Sequence, residues 1–150
     1  MQRKATAIWR GNLQKGKGEV STESGALKSV PYSFSTRFEE TPGSNPEELI
    51  GAAHASCFTM ALSGALAKKG YIADSLETSA TVTLEKQGDG FAITSSKLKL
   101  RALVPDIDAK TFQSIADDAK ANCPVSKLLK ANISLDVDFH SPMHSTSASH

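Results

Sequence analysis

Two of the few residues able to do chemistry in this 150-residue chain are its cysteines. Cys57 sits inside GAAHASCFTM (51–60), and Cys123 opens the turn CPVS (123–126). A thiolate is a nucleophile, a metal ligand and the form of cysteine that attacks peroxides and disulfides. Each cysteine also has a plainer use. Cys57, in an apolar stretch, fits a small packed hydrophobe. Cys123 stands beside Pro124 where a helical pattern starts, and the positive end of a helix lowers a thiol pKa. There is no CxxC, and the two thiols are 66 positions apart, so they meet only through the fold. His54 and His140 would complete a tetrahedral metal set with both cysteines, but the spacing is generic. A packed His54 satisfied by a neighbour is the simpler reading. No nucleophile-elbow pattern supports Ser-His-Asp chemistry.

The elements that must position these thiols follow from patterning. Ala5–Trp9 and Gly18–Ser21 read as strands punctuated by Gly11, Gly16 and Gly18. Tyr32, Phe34, Thr36 and Phe38 alternate, which predicts a third strand over 32–38 that carries Arg37. Thr41-Pro42-Gly43-Ser44 is a loop. A long helix follows, with Asn45 as N-cap, Pro46 in the first helical position, and Glu47 and Glu48 favouring the dipole. Glu48, three residues after the cap, is placed to reach back to the cap N–H. Lys68, Lys69 and Gly70 mark its end.

Residues 77–85 and 91–104 read as a hairpin around Gln87-Gly88-Asp89-Gly90. A phase switch between Ile93 and Leu98 predicts a bulge. Asp108 caps a second helix with Phe112, Ile115, Ala116 and Ala119 on one face. A short third helix follows Cys123-Pro124, and Ile133, Leu135, Val137 and Phe139 alternate as a last strand. This order predicts an α+β fold with mostly antiparallel sheets. Residues 1–140 form one domain in this reading, and 141–150 are a polar, loose tail.

The long helix is unusual in having no Asp, Glu, Lys or Arg from Leu49 to Ala67, nineteen residues. That meets the length test for a membrane span. Its many Ala, Gly and Ser residues, the internal His54 and the absent aromatic belt argue instead for a helix buried on all sides. Gly51, Ala52, Ala55 and Ser56 would admit a close neighbour. One small domain rarely surrounds a helix alone, so a second copy of the chain is expected and membrane insertion is not.

The totals narrow the function further. Net charge is +1 with scattered lysines, and aromatic residues make up only 6%, so no surface suggests nucleic-acid binding. No apolar run follows the basic residues of MQRKATAIWRGN, which points to the cytoplasm and reduced thiols.

Three motifs carry a family likeness: FSTRF (34–38), NPEELIGAAHASCF (45–58) and NCPVSKLLKA (122–131). Together they resemble the OsmC/Ohr family, the osmotically inducible protein C and organic hydroperoxide resistance proteins, over roughly Lys4 to Phe139. The Arg in TRFE resembles the OsmC branch. The resemblance implies an intertwined α+β homodimer with mostly antiparallel sheets around long buried central helices. It implies a thiol peroxidase acting on organic hydroperoxides, with Cys57 peroxidatic, Cys123 resolving, and Arg37 and Glu47 as the activating pair. It implies no bound cofactor or metal, and electrons from a small or lipoyl-bound dithiol.

Elementary chemistry sharpens those roles. Cys57 lies three turns into its helix, beyond reach of the dipole, and burial raises a thiol pKa. Moving a thiol from about 8.5 to about 6 needs roughly 3–4 kcal/mol, which a partly buried Arg37 can supply. Glu47, freer than Glu48, would orient the guanidinium. Ten helical residues advance about 15 Å and turn about 280°, so Glu47 and Cys57 of one chain do not share a face. Either Arg37 bridges the two within one chain, or the Glu47 that serves a given Cys57 comes from the partner chain; the second is the favoured expectation and would make dimerisation a condition of catalysis. Phe34, Phe38, Ile50 and Phe58 are candidates for an apolar peroxide mouth. A non-catalytic dimer that binds a small ligand and a general thiol–disulfide exchanger are the alternatives.

Overall fold

The structure is a computed structural model that describes residues 1–142; most of the expected tail, from residue 143 on, lies outside the described residues. The chain divides into two compact units, Met1–Leu49 and Ile50 onward.

In the first unit, β1 (Ala5–Arg10), β2 (Lys17–Thr22) and β3 (Val30–Tyr32) form an antiparallel sheet in that order. Gly18 pairs with Trp9 on one side and Tyr32 on the other. A Cβ on Gly18 would stand 2.5 Å from Tyr32 Cε1 and 2.8 Å from Trp9 Cε3. The bare glycine lets the two rings approach over it, with centroids 5.5 Å apart.

The expected third strand ends early. Residues Phe34–Phe38 form a short helix, α1, so Arg37 sits on a helix and not on a strand. The cause is a capping box: the Ser33 hydroxyl accepts from the Thr36 N–H, and the Thr36 hydroxyl accepts from the Ser33 N–H. Phe34 and Phe38 share a side in either conformation, because i and i+4 also coincide on a helix; their rings lie 5.0 Å apart.

Helix α2 (Pro46–Lys68) starts as expected at Asn45, whose Oδ1 accepts from the Glu48 N–H at 2.8 Å. The box closes differently, however. The Glu48 carboxylate accepts from the Asn45 side-chain amide rather than from the cap N–H, and the same amide also donates to the Thr36 carbonyl. The cap thereby ties the start of α2 to α1.

In the second unit, β4 (Ser75–Gln87), β5 (Gly90–Leu103) and β6 (Asn132–His140) make one sheet, with β4–β5 antiparallel and β5–β6 parallel. The bulge falls in the predicted window: Thr83 pairs with Ser95 and Leu84 with Ile93, which leaves Thr94 extra. Cross-strand rows such as Ala80–Leu98–Leu135 and Leu76–Ala102–Phe139 line one face. Rows such as Glu77–Arg101–Asp138 line the other, so opposite charges alternate on the exposed side.

Three helical elements pack on the apolar face of this sheet. Helix α2 contributes Phe58, Leu62 and Leu66, all fully buried, and α3 (Ala109–Asn122) adds Phe112, Ile115, Ala116 and Ala119. Phe112 stacks on Phe139 at 4.4 Å. Each fully buried Phe or Leu side chain contributes roughly 1.5–3 kcal/mol. After α3, Cys123 begins α4 (Pro124–Leu128), and the crossover returns to β6.

Helix α2 is not buried on all sides within this chain. Gly51, His54, Phe58, Leu62 and Leu66 face the core, while Ala52, Ser56, Met60 and Ser63 are exposed, Met60 to 79%. The small residues on the outer side explain why its neutral composition shows no helical contrast. The helix has the length and apolarity of a membrane span, but one side of it, through Phe58, Leu62 and Leu66, belongs to a protein core.

Candidate active site

The second unit assembles the thiols. Helix α2 carries Cys57 one position before the buried Phe58, so the sulfur lies at the edge of the core face, half-buried. The α3–α4 junction delivers Cys123 from the opposite side, fully buried. Both are free thiols, and they lie close enough for each to affect the other's ionisation.

The two sulfurs compete for charge. Burial pushes the Cys57 thiol up, the Val125 N–H partly offsets this, and the hydrogen bond and charge of Cys123 push it up again. Burial also opposes ionisation of Cys123. There, however, the Ser126 N–H, the Cys57 and Ser126 side chains and the Val125 N–H together hold the thiol below its ordinary value. These amides belong to the first turn of α4, where backbone N–H groups have no helical partner. Within this unit, then, negative charge favours Cys123 over Cys57.

Beneath the thiols lies a buried polar chain. His54, with no exposed surface, hydrogen-bonds through Nδ1 to Ser96 Oγ at 2.6 Å and through Nε2 to Ser126 Oγ at 2.9 Å. Burial lowers the His54 pKa, which keeps the ring neutral. Both ring nitrogens are engaged, and His140 pairs with Asp138 on the exposed side of β6, so the two histidines serve separate ends.

The first unit assembles the cation. Arg37 Nε and Nη2 donate to Glu47 Oε1 and Oε2 at 3.2 and 3.1 Å, a side-on bidentate pair. That geometry fixes the guanidinium plane and leaves Nη1 outside the pair. Glu47 is buried, whereas the Arg37 side chain remains 37% exposed. The guanidinium lies 5.2 Å from the Phe38 ring centroid. Beside it is a cavity of about 200 Å³ lined by Trp9, Leu13, Tyr32, Phe34 and Phe38, with Arg37 at its wall.

The expected site residues therefore separate into groups. Cys57 and Cys123 meet; Arg37 and Glu47 meet; Phe34 and Phe38 line a cavity with Arg37. Phe58 has no exposed surface and belongs to the core, so it offers a substrate nothing in this chain. Ile50, partly buried, lines neither the cavity nor the core cluster. Sequence reasoning missed Trp9 and Tyr32, which strand register brings together, and Leu13, in the turn between β1 and β2. It also missed Ser96 and Ser126, because no local pattern reveals a bond across 42 or 72 positions.

Fold and site define an α+β protein with a paired-thiol centre. The chain belongs to the family described as OsmC-like protein, which matches residues 39–138. It is 54% identical to peroxiredoxin OsmC of Escherichia coli (strain K12) over 141 residues, 94% of this chain and 99% of that one. It is 32% identical over 92 residues to the organic hydroperoxide resistance protein of Xanthomonas axonopodis pv. citri, 61% of this chain and 63% of that one. Its fold matches an OsmC-like protein of unknown function from Vibrio cholerae (TM-score 0.73, 17% identity, 91% and 99% coverage). It also matches the organic hydroperoxide resistance protein OhrB of Bacillus subtilis (TM-score 0.64, 24% identity, 91% and 98% coverage).

Proposed function

We propose that this chain is a thiol-dependent peroxidase that reduces organic hydroperoxides to alcohols. The observation that carries it is the close pair of free cysteines, one half-buried and one fully buried. The extent of its likeness to a peroxiredoxin supports the same reading.

The cycle has three balanced steps. The Cys57 thiolate attacks the terminal oxygen of the hydroperoxide; the O–O bond breaks, sulfur is oxidised to sulfenic acid, and the departing alkoxide takes a proton to become the alcohol. The Cys123 sulfur then attacks Cys57 sulfur; the S–O bond breaks, a disulfide forms, and the proton lost from Cys123 leaves with hydroxide as water. An external dithiol, small or lipoyl-bound, reduces the disulfide by exchange and is itself oxidised.

In this scheme the Arg37 guanidinium, held by Glu47, supplies the positive charge that moves ionisation from Cys123 to Cys57. The aromatic cavity beside Arg37 holds the organic arm of the peroxide, which makes Phe34 and Phe38, together with Trp9, Leu13 and Tyr32, the substrate-binding residues. The working unit is a homodimer, with the Arg37–Glu47 pair of one chain serving Cys57 of the other, because helix rotation keeps Glu47 and Cys57 of one chain on different faces. A cytoplasmic setting would keep both thiols reduced between turnovers.

Peroxide-consumption kinetics with cumene hydroperoxide and a dithiol test this. Cys57→Ser abolishes turnover, and Cys123→Ser retains one rapid reduction per chain but slows the cycle. Full turnover in Cys57→Ser removes the peroxidase reading. Exchange with test disulfides but no peroxide consumption would favour the thiol–disulfide exchanger.

A further inference from the structure

We propose that Ser96, His54 and Ser126 form a one-directional donor chain that ends on Cys123 and sets the resolving step. This rests on the peroxidase reading above.

The geometry is specific. Ser96 Oγ lies 2.6 Å from His54 Nδ1, and Ser126 Oγ lies 2.9 Å from His54 Nε2. The Ser126 side chain in turn reaches the Cys123 thiol, which reaches Cys57. All four residues from Ser96 to Cys123 are buried among Phe58, Leu98 and Leu100. Buried polar groups in an apolar core are costly unless fully paired, and here each side chain has its partner.

Neutral imidazole has one donor and one acceptor nitrogen. With the proton on Nε2, Ser96 O–H donates to Nδ1, Nε2–H donates to Ser126 Oγ, and Ser126 O–H is left to donate to sulfur. Every link then points toward Cys123. The opposite tautomer would make Ser126 donate to the ring and turn its oxygen lone pairs on a thiolate. Neutrality of His54 matters because an imidazolium would force Nδ1–H onto Ser96 and reverse that link. The chain favours the thiolate form of Cys123 and holds its sulfur against Cys57. When Cys57 carries a sulfenic acid, that thiolate is ready to attack; the S–O bond breaks and the released hydroxide takes up the proton that Cys123 gave up.

The same device has a cost for the first step. Before peroxide arrives, charge held on Cys123 disfavours charge on Cys57. His54, Ser96 and Ser126 are positioning residues, and removing their donor chain should move the two steps in opposite directions. A merely structural role would slow both.

Ser126→Ala removes one hydroxyl and adds no atom. Rapid-quench mass spectrometry after mixing the full chain with cumene hydroperoxide follows Cys57 sulfenic acid and the Cys57–Cys123 disulfide separately. The expected result is sulfenic acid formation as fast as wild type or faster, with disulfide formation slowed about tenfold or more and sulfinic acid accumulating at lower peroxide. An unchanged disulfide rate overturns the proposal, as does an equal loss in both steps. If Ser126→Ala does not fold, Ser96→Ala breaks the chain at its far end and must shift the two rates with the same signs; a failure to do so overturns it equally. Wild-type protein that forms neither sulfenic acid nor disulfide would instead remove the peroxidase reading itself.

Discussion

At the scale of single residues, the proposed site turns on Arg37 and Gly18. The Arg37 fork is bound side-on by Glu47, so its orientation depends on a planar, five-donor group. Arg37→Ala should lower kcat/KM for cumene hydroperoxide by about a hundredfold, and Arg37→Lys should recover little of it. The pH profile of Cys57 alkylation gives the sign. Loss of a cation disfavours thiolate, so the midpoint moves to higher pH in Arg37→Ala. An unmoved midpoint would exclude Arg37 from ionising Cys57. Gly18 acts through shape alone. A methyl there meets both Tyr32 and Trp9 below van der Waals distance, so Gly18→Ala must push apart the rings that line the cavity. KM for cumene hydroperoxide should rise severalfold while that for a small alkyl hydroperoxide changes little. Equal effects on both substrates would place the peroxide's organic arm elsewhere.

Among the elements, the short helix α1 is the least self-sufficient. Five residues cannot nucleate a helix in isolation, and α1 exists because Ser33 and Thr36 satisfy each other's backbone N–H. Ser33→Ala should cost about 0.5–2 kcal/mol in urea unfolding. It should also reduce peroxidase activity, since the helix aims Arg37. Ser33→Thr keeps the cap and should restore both. Normal activity with measurable destabilisation would show that α1 geometry is not needed for the chemistry. The sequence signal for α1 was present as S-x-x-T, but alternation of Tyr32, Phe34, Thr36 and Phe38 masked it. A helix and a strand both align Phe34 with Phe38, so periodicity over five residues cannot separate them. The long helix posed no such ambiguity, because cap, proline, acids and terminal glycine all agreed.

The outward side of α2 bears on the whole molecule. It borders β4 in an open groove of about 750 Å³ lined by residues such as Ala52, Ser56, Thr59, Met60 and Leu76. Small side chains along a helix allow a second backbone to come close, and an exposed Met adapts readily to a partner surface. Met60→Glu should leave the fold of the single chain intact, because Met60 packs little in it, yet convert the proposed dimer to monomers in sedimentation velocity. Peroxidase activity should fall with dimer content if Arg37 serves the other chain. A monomeric, fully active Met60→Glu would show that each chain is complete by itself.

By itself, the sequence determined the family, the α+β order, the caps of α2 and α3, the β5 bulge and the two candidate thiols. Each of these is local: a cap spans three residues, an amphipathic pattern a dozen, and NPEEL or CPVS is contiguous. Tertiary structure alone decided that Trp9 and Tyr32 meet over Gly18, that Phe58 is core rather than site, and that His54 links Ser96 to Ser126. It also decided that Cys123 is the sulfur favoured for charge within the thiol unit, because the amides that favour it, those of Val125 and Ser126, are remote in sequence from Cys57. Contacts between distant segments depend on strand register and helix rotation, where one residue of slip reverses which side chains face inward. A linear string does not carry that information until the chain has closed on itself.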